Sequence, residues 1–171
     1  PTAFGKTVVA AAVIAARKVN TLIIVHRTQL LDQWRTRLST FLEIDEGSIG
    51  TFGSGKRSPT GVVDIAVMQS LVRKGVVHDI VANYGHVIVD ECHHVSAFSF
   101  ERVMKEVKAR FVLGLTATPL RRDGHHPIIF MQCGPIRFRG SNTRAMAQVR
   151  HVVIARRTQL AVPPGADRIQ S

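Results

Sequence analysis

The chain has 171 residues, of which 45% are hydrophobic, so it is long and apolar enough to form a globular domain and is not a disordered polymer. Its 23 basic and 12 acidic residues give a net charge of +11, which favours a polyanionic partner. Only two cysteines and no long apolar stretch are present, which argues against a disulfide scaffold and a membrane span, so we expect a protein of the reducing cytoplasm.

The chain opens with the end of a phosphate-binding motif. Residues 2–7, TAFGKT, match the last part of G-x-x-x-x-G-K-[ST], and an almost wholly apolar segment, 7–18, follows and predicts a buried helix. In such a turn, backbone N–H groups bind phosphate, Lys6 adds charge and the Thr7 hydroxyl reaches Mg²⁺; the alternative is an ordinary helix start. The candidate ATP-binding residues are Thr2, Gly5, Lys6 and Thr7. Because the first glycine of the motif would precede Pro1, we expect a segment of a longer protein.

The following segments alternate between short apolar runs and helical patterns. Strands are predicted at 21–26, 48–52 and 62–68, and helices at 28–41 and 69–74. Thr28 is the expected cap of the helix that it precedes. Residues 53–56, GSGK, look like a second phosphate loop, but no apolar helix follows them, so their glycines predict a hairpin turn instead.

Two adjacent carboxylates follow the predicted strand 86–89. Asp90 is placed to bind Mg²⁺ together with Thr7, and Glu91 to orient or deprotonate water, so Glu91 and Lys6 are the candidate catalytic residues. The alternative is a pair of solvated acids at a strand end. The adjacent Cys92, His93 and His94 cannot readily converge on one tetrahedral ion, so no structural zinc is expected.

A helix at 100–108 and a strand at 111–115 come next, and the strand ends in Thr116-Ala117-Thr118. The hydroxyls of Thr116 and Thr118 could bond the segment from Asp90 to His94 and couple the nucleotide site to its surroundings. A plain strand followed by a proline turn is the alternative. His94 is interpreted as a hydrogen-bonding switch near the nucleotide.

Beyond Gly134 the pattern weakens and becomes basic. Nine arginines and only two acidic residues follow Leu120. The pattern indicates a helix at 142–149 and a strand at 151–154 only weakly, and Pro163-Pro164-Gly165 suggests a linker. We therefore expect an α/β domain over 1–134 and a basic connection over 135–171. In the domain, alternating strands and helices predict a parallel sheet with helices on both faces and ligands beyond the carboxyl ends of the strands.

Five segments in order, PTAFGKT, IIVHRTQLLDQW, DIAVMQSL, VIVDECHH and LTATPLRRD, resemble the first motor domain of superfamily 2 helicases of the DEAD/DEAH-box class. They look most similar to the XPB-like and type III restriction-subunit branch. The resemblance covers 1–123 and implies a single RecA-like domain of the P-loop NTPase class.

The resemblance also implies roles for individual residues. Gly5, Lys6 and Thr7 would bind the phosphates of ATP, Asp90 would bind Mg²⁺, and Glu91 would activate water. A nucleic-acid backbone, DNA or RNA, would contact Arg27 and Gln69, and the Thr116–Thr118 motif would link hydrolysis to strand movement. The alternative for Arg27 is a solvated loop charge.

The implied function is the N-terminal ATP-binding half of a helicase or translocase, acting on DNA in preference to RNA. A second RecA-like domain with the arginine fingers is expected elsewhere in the parent chain, so this segment alone would be weakly active or inactive. Two alternatives stay open: a translocase subunit that feeds a nuclease in a restriction-type system, and a basic nucleic-acid-binding module with a vestigial ATP site.

Overall fold

A computed structural model describes residues 4–53, 55–92, 97–117 and 126–138, all of which belong to one compact unit, Pro1–Arg139. Thr2, His94 and Thr118 lie outside the described residues, as do the helix and strand predicted at 142–149 and 151–154. The domain boundary at 134 therefore stays a prediction.

The described helices and strands alternate along the chain, as the sequence predicts. The helices are α1 (Phe4–Arg17), α2 (Gln29–Leu42), α3 (Met68–Leu71), α4 (Ala97–Glu106) and α5 (His126–Cys133). The strands are β1 (Thr21–Val25), β2 (Ile49–Gly53), β3 (Lys56–Ser58), β4 (Val63–Val67), β5 (Val72–Arg73), β6 (Val76–Val77), β7 (His86–Asp90) and β8 (Phe111–Leu115). Two short 3-10 turns lie at Glu46–Ser48 and Asp79–Asn83.

The described strands form a six-stranded sheet in the order β3-β2-β4-β1-β7-β8, and β5 and β6 form a separate hairpin. Five strands of the large sheet are parallel, and only the edge strand β3 is antiparallel, paired with β2. The parallel topology brings the carboxyl ends of β1, β4, β7 and β8 to one edge. Val25 pairs with Val67 there, and Asp90 with Leu115.

The sheet carries helices on both faces, which explains why its central strands are apolar throughout. Side chains of β1 alternate: Leu22 and Ile24 pack toward α4 and α5, whereas Ile23 and Val25 pack toward α1 and α2. All four are fully buried, and burying such a side chain contributes about 1.5–3 kcal/mol. Among the described helices, none is long and apolar enough to cross a membrane.

Helix α1 departs from the predicted burial. Ala10, Ala11 and Ile14 lie in the core, but Val8 and Val9 are 38% and 43% exposed. The sequence could not show which residues of α1 are buried, because a helix that is apolar on every side has no periodic pattern to mark the face that contacts the sheet.

The predicted helix at 69–74 is wrong beyond Leu71. Lys74 and Gly75 have φ values of 49° and 80°, which belong to the two-residue turn of a tight β-hairpin, and β5 and β6 flank them. The predicted cap at Thr28 is also wrong, because Thr28 has helical dihedrals and its side chain makes no capping hydrogen bond. The hairpin predicted at 53–56 is confirmed by the pairing of Gly53 with Lys56.

A buried carboxylate holds the amino end of β4. Asp64 is fully buried and accepts hydrogen bonds at 2.8 Å from the Thr60 amide, the Thr60 hydroxyl and the Gly61 amide, and it also accepts one from Tyr84 Oη. Burial and this carboxylate raise the pKa of Tyr84. A Cβ at Gly50 would overlap the Asp64 carboxylate, so only glycine fits there.

His86, the first residue of β7, should make stability depend on pH. It is fully buried, and burial together with the charge of Arg17 lowers its pKa to about 4, below the value of about 6.5 expected when unfolded. The folded state therefore resists protonation. We expect the titration of His86 to leave stability nearly unchanged above about pH 7, and to lower the free energy of unfolding by at most about 3 kcal/mol as pH falls toward 4.

Urea unfolding of the chain between pH 4 and 7.5, followed by circular dichroism, measures this dependence. His86→Gln removes the titrating group and should flatten that part of the pH profile even if it lowers stability at every pH. His78→Gln is the control, because His78 is exposed. Identical pH slopes for the original chain and His86→Gln would contradict the prediction.

Candidate functional site

Lys6 and Thr7 of the phosphate-binding motif meet the adjacent carboxylates Asp90 and Glu91 at one cleft. It has a volume of about 200 Å³ and lies where β1 and β7 end and α1 begins. We call it the first cleft, and its lining residues are Lys6, Thr7, His26, Leu30, Gln33, Trp34, Arg37, Asp90 and Glu91. The sequence places these groups up to 85 positions apart, and the parallel topology brings them together.

Lys6 lies between the two carboxylates of the first cleft. Its ammonium donates a hydrogen bond to Glu91 Oε1, and its Nζ is 4.0 Å from Asp90 Oδ1. Burial lowers the pKa of Lys6 from its ordinary value, while the negative charge of Asp90 acts in the opposite direction. A poorly hydrated ammonium of this kind is well suited to bind an anion that enters the cleft.

The two oxygens of Asp90 have different surroundings. Asp90 Oδ2 accepts a buried hydrogen bond of 2.8 Å from the Trp34 indole N–H, which fixes the plane of the carboxylate. Asp90 Oδ1 is buried and accepts no hydrogen bond from any described residue. Buried carboxylate oxygens rarely lack a donor, and one oriented in this way fits a ligand of a cation.

Glu91 has a left-handed backbone conformation, with φ at 48°. Side chains that follow each other along a strand point to opposite faces, so Asp90 and Glu91 would diverge if β7 simply continued. The turn at Glu91 breaks that alternation, and both carboxylates line the first cleft. For a residue other than glycine this conformation costs about 1–2 kcal/mol, which the surrounding structure must offset.

Thr7 is 2% exposed and lies in the first turn of α1, whose N-terminal end adjoins the cleft. Exposed N–H groups at the start of a helix favour a negatively charged ligand. Within the described part of the chain, no group of three or more His, Cys, Asp or Glu side chains could hold a metal ion. Thr7 and Asp90 suit Mg²⁺, which takes few protein ligands and completes its shell with phosphate oxygens and water.

Thr116 lies beside the first cleft rather than in it. It follows Leu115, which pairs with Asp90, and the Cys92 amide donates a hydrogen bond of 3.3 Å to the Leu115 carbonyl. Thr116 is half-buried there. The structure thus brings one of the three predicted coupling residues next to the carboxylates, while His94 and Thr118 lie outside the described residues.

The predicted nucleic-acid contacts lie outside the first cleft. Arg27 follows β1, Gln69 follows β4, and both are exposed. Because Val25 and Val67 are partners in neighbouring strands, the two residues share the edge of the sheet at which the first cleft opens. Gln69 lines a second cleft, formed by Gly53, Gly55, Arg57, Gln69, Ser70, Val72 and Arg73.

Sequence reasoning missed the contribution of α2 to the first cleft. Trp34 was predicted only as part of a helix, and the cleft-lining side chains of Gln33 and Arg37 carried no signal. One clue was available for Trp34: an indole N–H that enters a core needs an acceptor. The sequence contains a single tryptophan, but it does not show which acceptor that residue meets.

Residues 1–121 match the family model described as type III restriction enzyme, res subunit. The chain is 34% identical over 141 residues to the DNA 3'-5' translocase XPB2 of Sulfurisphaera tokodaii, covering 82% of this chain and 31% of that protein. It is 37% identical over 144 residues to the DNA 3'-5' helicase XPB of Kineococcus radiotolerans, covering 81% and 26%. The chain thus spans less than a third of the length of these relatives.

Solved structures show a shared fold at low identity. The crystal structure of UvsW from bacteriophage T4 matches with a TM-score of 0.60 at 20% identity, over 75% of this chain and 28% of that one. The SWI2/SNF2 ATPase core of Sulfolobus solfataricus in complex with dsDNA matches with a TM-score of 0.54 at 16% identity, over 75% and 28%. Both likenesses confirm the expected α/β architecture.

The hydrogen bond between Trp34 and Asp90 should be measurable as an energetic coupling. Trp34→Phe keeps an aromatic ring but removes the donor, and Asp90→Ala removes the acceptor. In a double-mutant cycle we expect the two effects on the free energy of unfolding to couple by about 1.5–3 kcal/mol, the range for a hydrogen bond to a charged group. Circular dichroism in urea measures it, with Trp34→Phe and Glu106→Gln as the uncoupled control pair; additive effects for Trp34 and Asp90 would contradict the bond.

Proposed function

Because the chain belongs to the superfamily 2 helicases, in the family of the type III restriction enzyme res subunit, we propose that its RecA-like motor domain binds ATP with Mg²⁺ in the first cleft and hydrolyses it. The observation that carries the proposal is the meeting of Lys6, Thr7, Asp90 and Glu91 at that cleft. A cation, a hydroxyl and two carboxylates in one site are the groups that phosphoryl transfer to water requires.

Each residue has a distinct task in this proposal. The N-terminus of α1 and Lys6 bind the phosphates, and the Thr7 hydroxyl and Asp90 Oδ1 hold Mg²⁺. The bound metal would neutralise phosphate charge. Trp34 keeps the Asp90 carboxylate in one orientation through its 2.8 Å hydrogen bond, so that Oδ1 is presented toward the cleft. Preorganised charges of this kind supply most of the catalysis in such reactions.

The contact between Lys6 and Glu91 suggests how hydrolysis depends on the nucleotide. The Lys6 ammonium donates a hydrogen bond to Glu91 Oε1, an oxygen of the candidate base. An arriving phosphate competes for the same ammonium. Once Lys6 moves to the phosphate, Glu91 is released to orient an attacking water and accept its proton.

The nucleic-acid strand would lie along the same edge of the sheet. Arg27 and Gln69 are exposed there and would contact its backbone, which positions a strand without reading its sequence. Thr116, beside the carboxylates, would carry changes at the nucleotide site toward this edge, with His94 and Thr118 as its proposed partners. A second RecA-like domain in the parent protein would complete the ATP site and move relative to this one.

We propose that the parent protein is a helicase or translocase acting on DNA, as the names of the XPB relatives indicate for those proteins. The match to the res-subunit family supports a related possibility, in which the motor serves a nuclease. A nucleic-acid-binding module with a vestigial ATP site is less well supported, because all four residues of the proposed chemistry are present at the first cleft.

Substitution of the proposed catalytic residues tests this function in the parent protein that contains both motor domains. Glu91→Gln removes the base and Lys6→Ala removes the phosphate contact, so each should lower nucleic-acid-stimulated ATP hydrolysis by at least about a hundredfold. Phosphate release with and without a single strand measures the effect.

The matched controls are Glu106→Gln and Lys108→Ala, which make the same chemical changes at exposed positions near the end of α4 and should leave the rate unchanged. Normal turnover by Glu91→Gln would refute the role of Glu91. A parent protein with no ATP hydrolysis at all would instead support the vestigial module.

A further inference from the structure

An aromatic side chain is exposed at the start of α4. Phe98 is 66% exposed, and the guanidinium of Arg102, one helical turn later, lies 4.5 Å from the centre of its ring. The opposite face of α4 is anchored in the core by Phe100, Val103 and Met104. The ring is therefore held on a rigid helix with a cation beside it, while most of its surface stays accessible.

Arg102 also connects this ring to the β5–β6 hairpin. Its Nη1 donates a hydrogen bond of 2.9 Å to the carbonyl of Gly75, at the tip of the hairpin. The Arg102 guanidinium is therefore held by two contacts, one with the ring of Phe98 and one with the backbone of the hairpin. Phe98, Arg102 and the hairpin tip form one continuous surface.

The hairpin adds more positive charge to that surface. Val72 and Val77 pack against the core, so their neighbours in the strands, Arg73 and Val76, face outward as a cross-strand pair. Arg73 and Lys74 are exposed, and Val76 is 71% exposed. We call this the hairpin surface, and it consists of Arg73, Lys74, Val76, Phe98 and Arg102.

The hairpin surface continues into the second cleft. Arg73 belongs to both, and the cleft adds the guanidinium of Arg57 and the polar side chains of Gln69 and Ser70. The acid nearest to Arg102 in the sequence, Glu101, is paired with Lys105 at 2.8 Å. Arg57, Arg73 and Arg102 thus extend positive charge from the second cleft to Phe98, and the Glu101 carboxylate is paired with Lys105.

We propose that the hairpin surface is a binding site for single-stranded nucleic acid, in which Arg73 and Lys74 hold the phosphate backbone and Phe98 stacks on an unpaired base. This inference rests on the proposed function in one respect, that the domain engages nucleic acid. Exposed aromatic rings bordered by cations are the means by which proteins bind single strands without reading their sequence. Duplex bases are already stacked on each other, so the ring favours a single strand.

Binding of a fluorescein-labelled oligothymidylate of 20 nucleotides, measured by anisotropy without ATP, tests the stacking. Phe98→Ala should weaken binding about tenfold, whereas Phe98→Trp should retain it. Phe138→Ala is the matched control, since Phe138 is an 80% exposed phenylalanine outside the hairpin surface. Thermal unfolding of each variant separates a loss of binding from a loss of fold. Equal affinity of Phe98→Ala and the original chain would overturn the proposal.

Two further measurements separate stacking from charge. An oligonucleotide of the same length with abasic sites should bind the original chain as weakly as thymidylate binds Phe98→Ala. Arg73→Ala should lower the slope of log affinity against log salt by about 0.7, while Phe98→Ala leaves that slope unchanged. If poly-glutamate competes as well as oligothymidylate, the surface is a general anion site and the proposal is wrong.

These results are independent of the ATPase test. Failure of Phe98→Ala to weaken binding would overturn the stacking site while leaving the first cleft as proposed. Normal ATP hydrolysis by Glu91→Gln would refute the catalytic assignment while leaving the hairpin surface in place.

Discussion

The carboxylate of Asp90 connects the three elements that form the first cleft, β7, α1 and α2. It stands at the end of a central strand, its Oδ2 accepts the hydrogen bond from Trp34 on α2, and its Oδ1 lies 4.0 Å from Lys6 on α1. Two helices on one face of the sheet are thereby tied to one side chain. Because Asp90 is only 6% exposed, water screens its charge poorly, and its electrostatic attraction to Lys6 is stronger than it would be at the surface.

The sequence predicts the parts of the site that follow from strand order, and not those that depend on tertiary contacts. Parallel strands end at one edge, so Lys6 and Asp90 could be expected to meet. The contact between Trp34 and Asp90 spans 56 positions and has no local signal. The left-handed turn at Glu91 was equally hidden. The error at Lys74-Gly75 was different, because a glycine between Val72-Arg73 and Val76-Val77 is a local sign of a turn between two short strands.

The buried carboxylates at the two ends of the sheet, Asp64 and Asp90, have contrasting surroundings. At the amino end, the carboxylate of Asp64 is surrounded by donors and holds a loop in place. At the carboxyl end, Asp90 leaves one buried oxygen without a donor among the described residues, and Glu91 takes a costly backbone conformation. The Asp64 carboxylate therefore stabilises the fold, whereas the Asp90 oxygen is available to a ligand such as the cation proposed above.

The pairing of aromatic residues with these two carboxylates gives the molecule its own optical probes. The sequence contains one tryptophan and one tyrosine. Trp34 is hydrogen-bonded to Asp90 and Tyr84 to Asp64, so each chromophore touches a different acid. A change in the surroundings of Asp90 should therefore alter the fluorescence of the Trp34 indole, and a change around Asp64 should alter the absorbance of the Tyr84 phenol, without any added label.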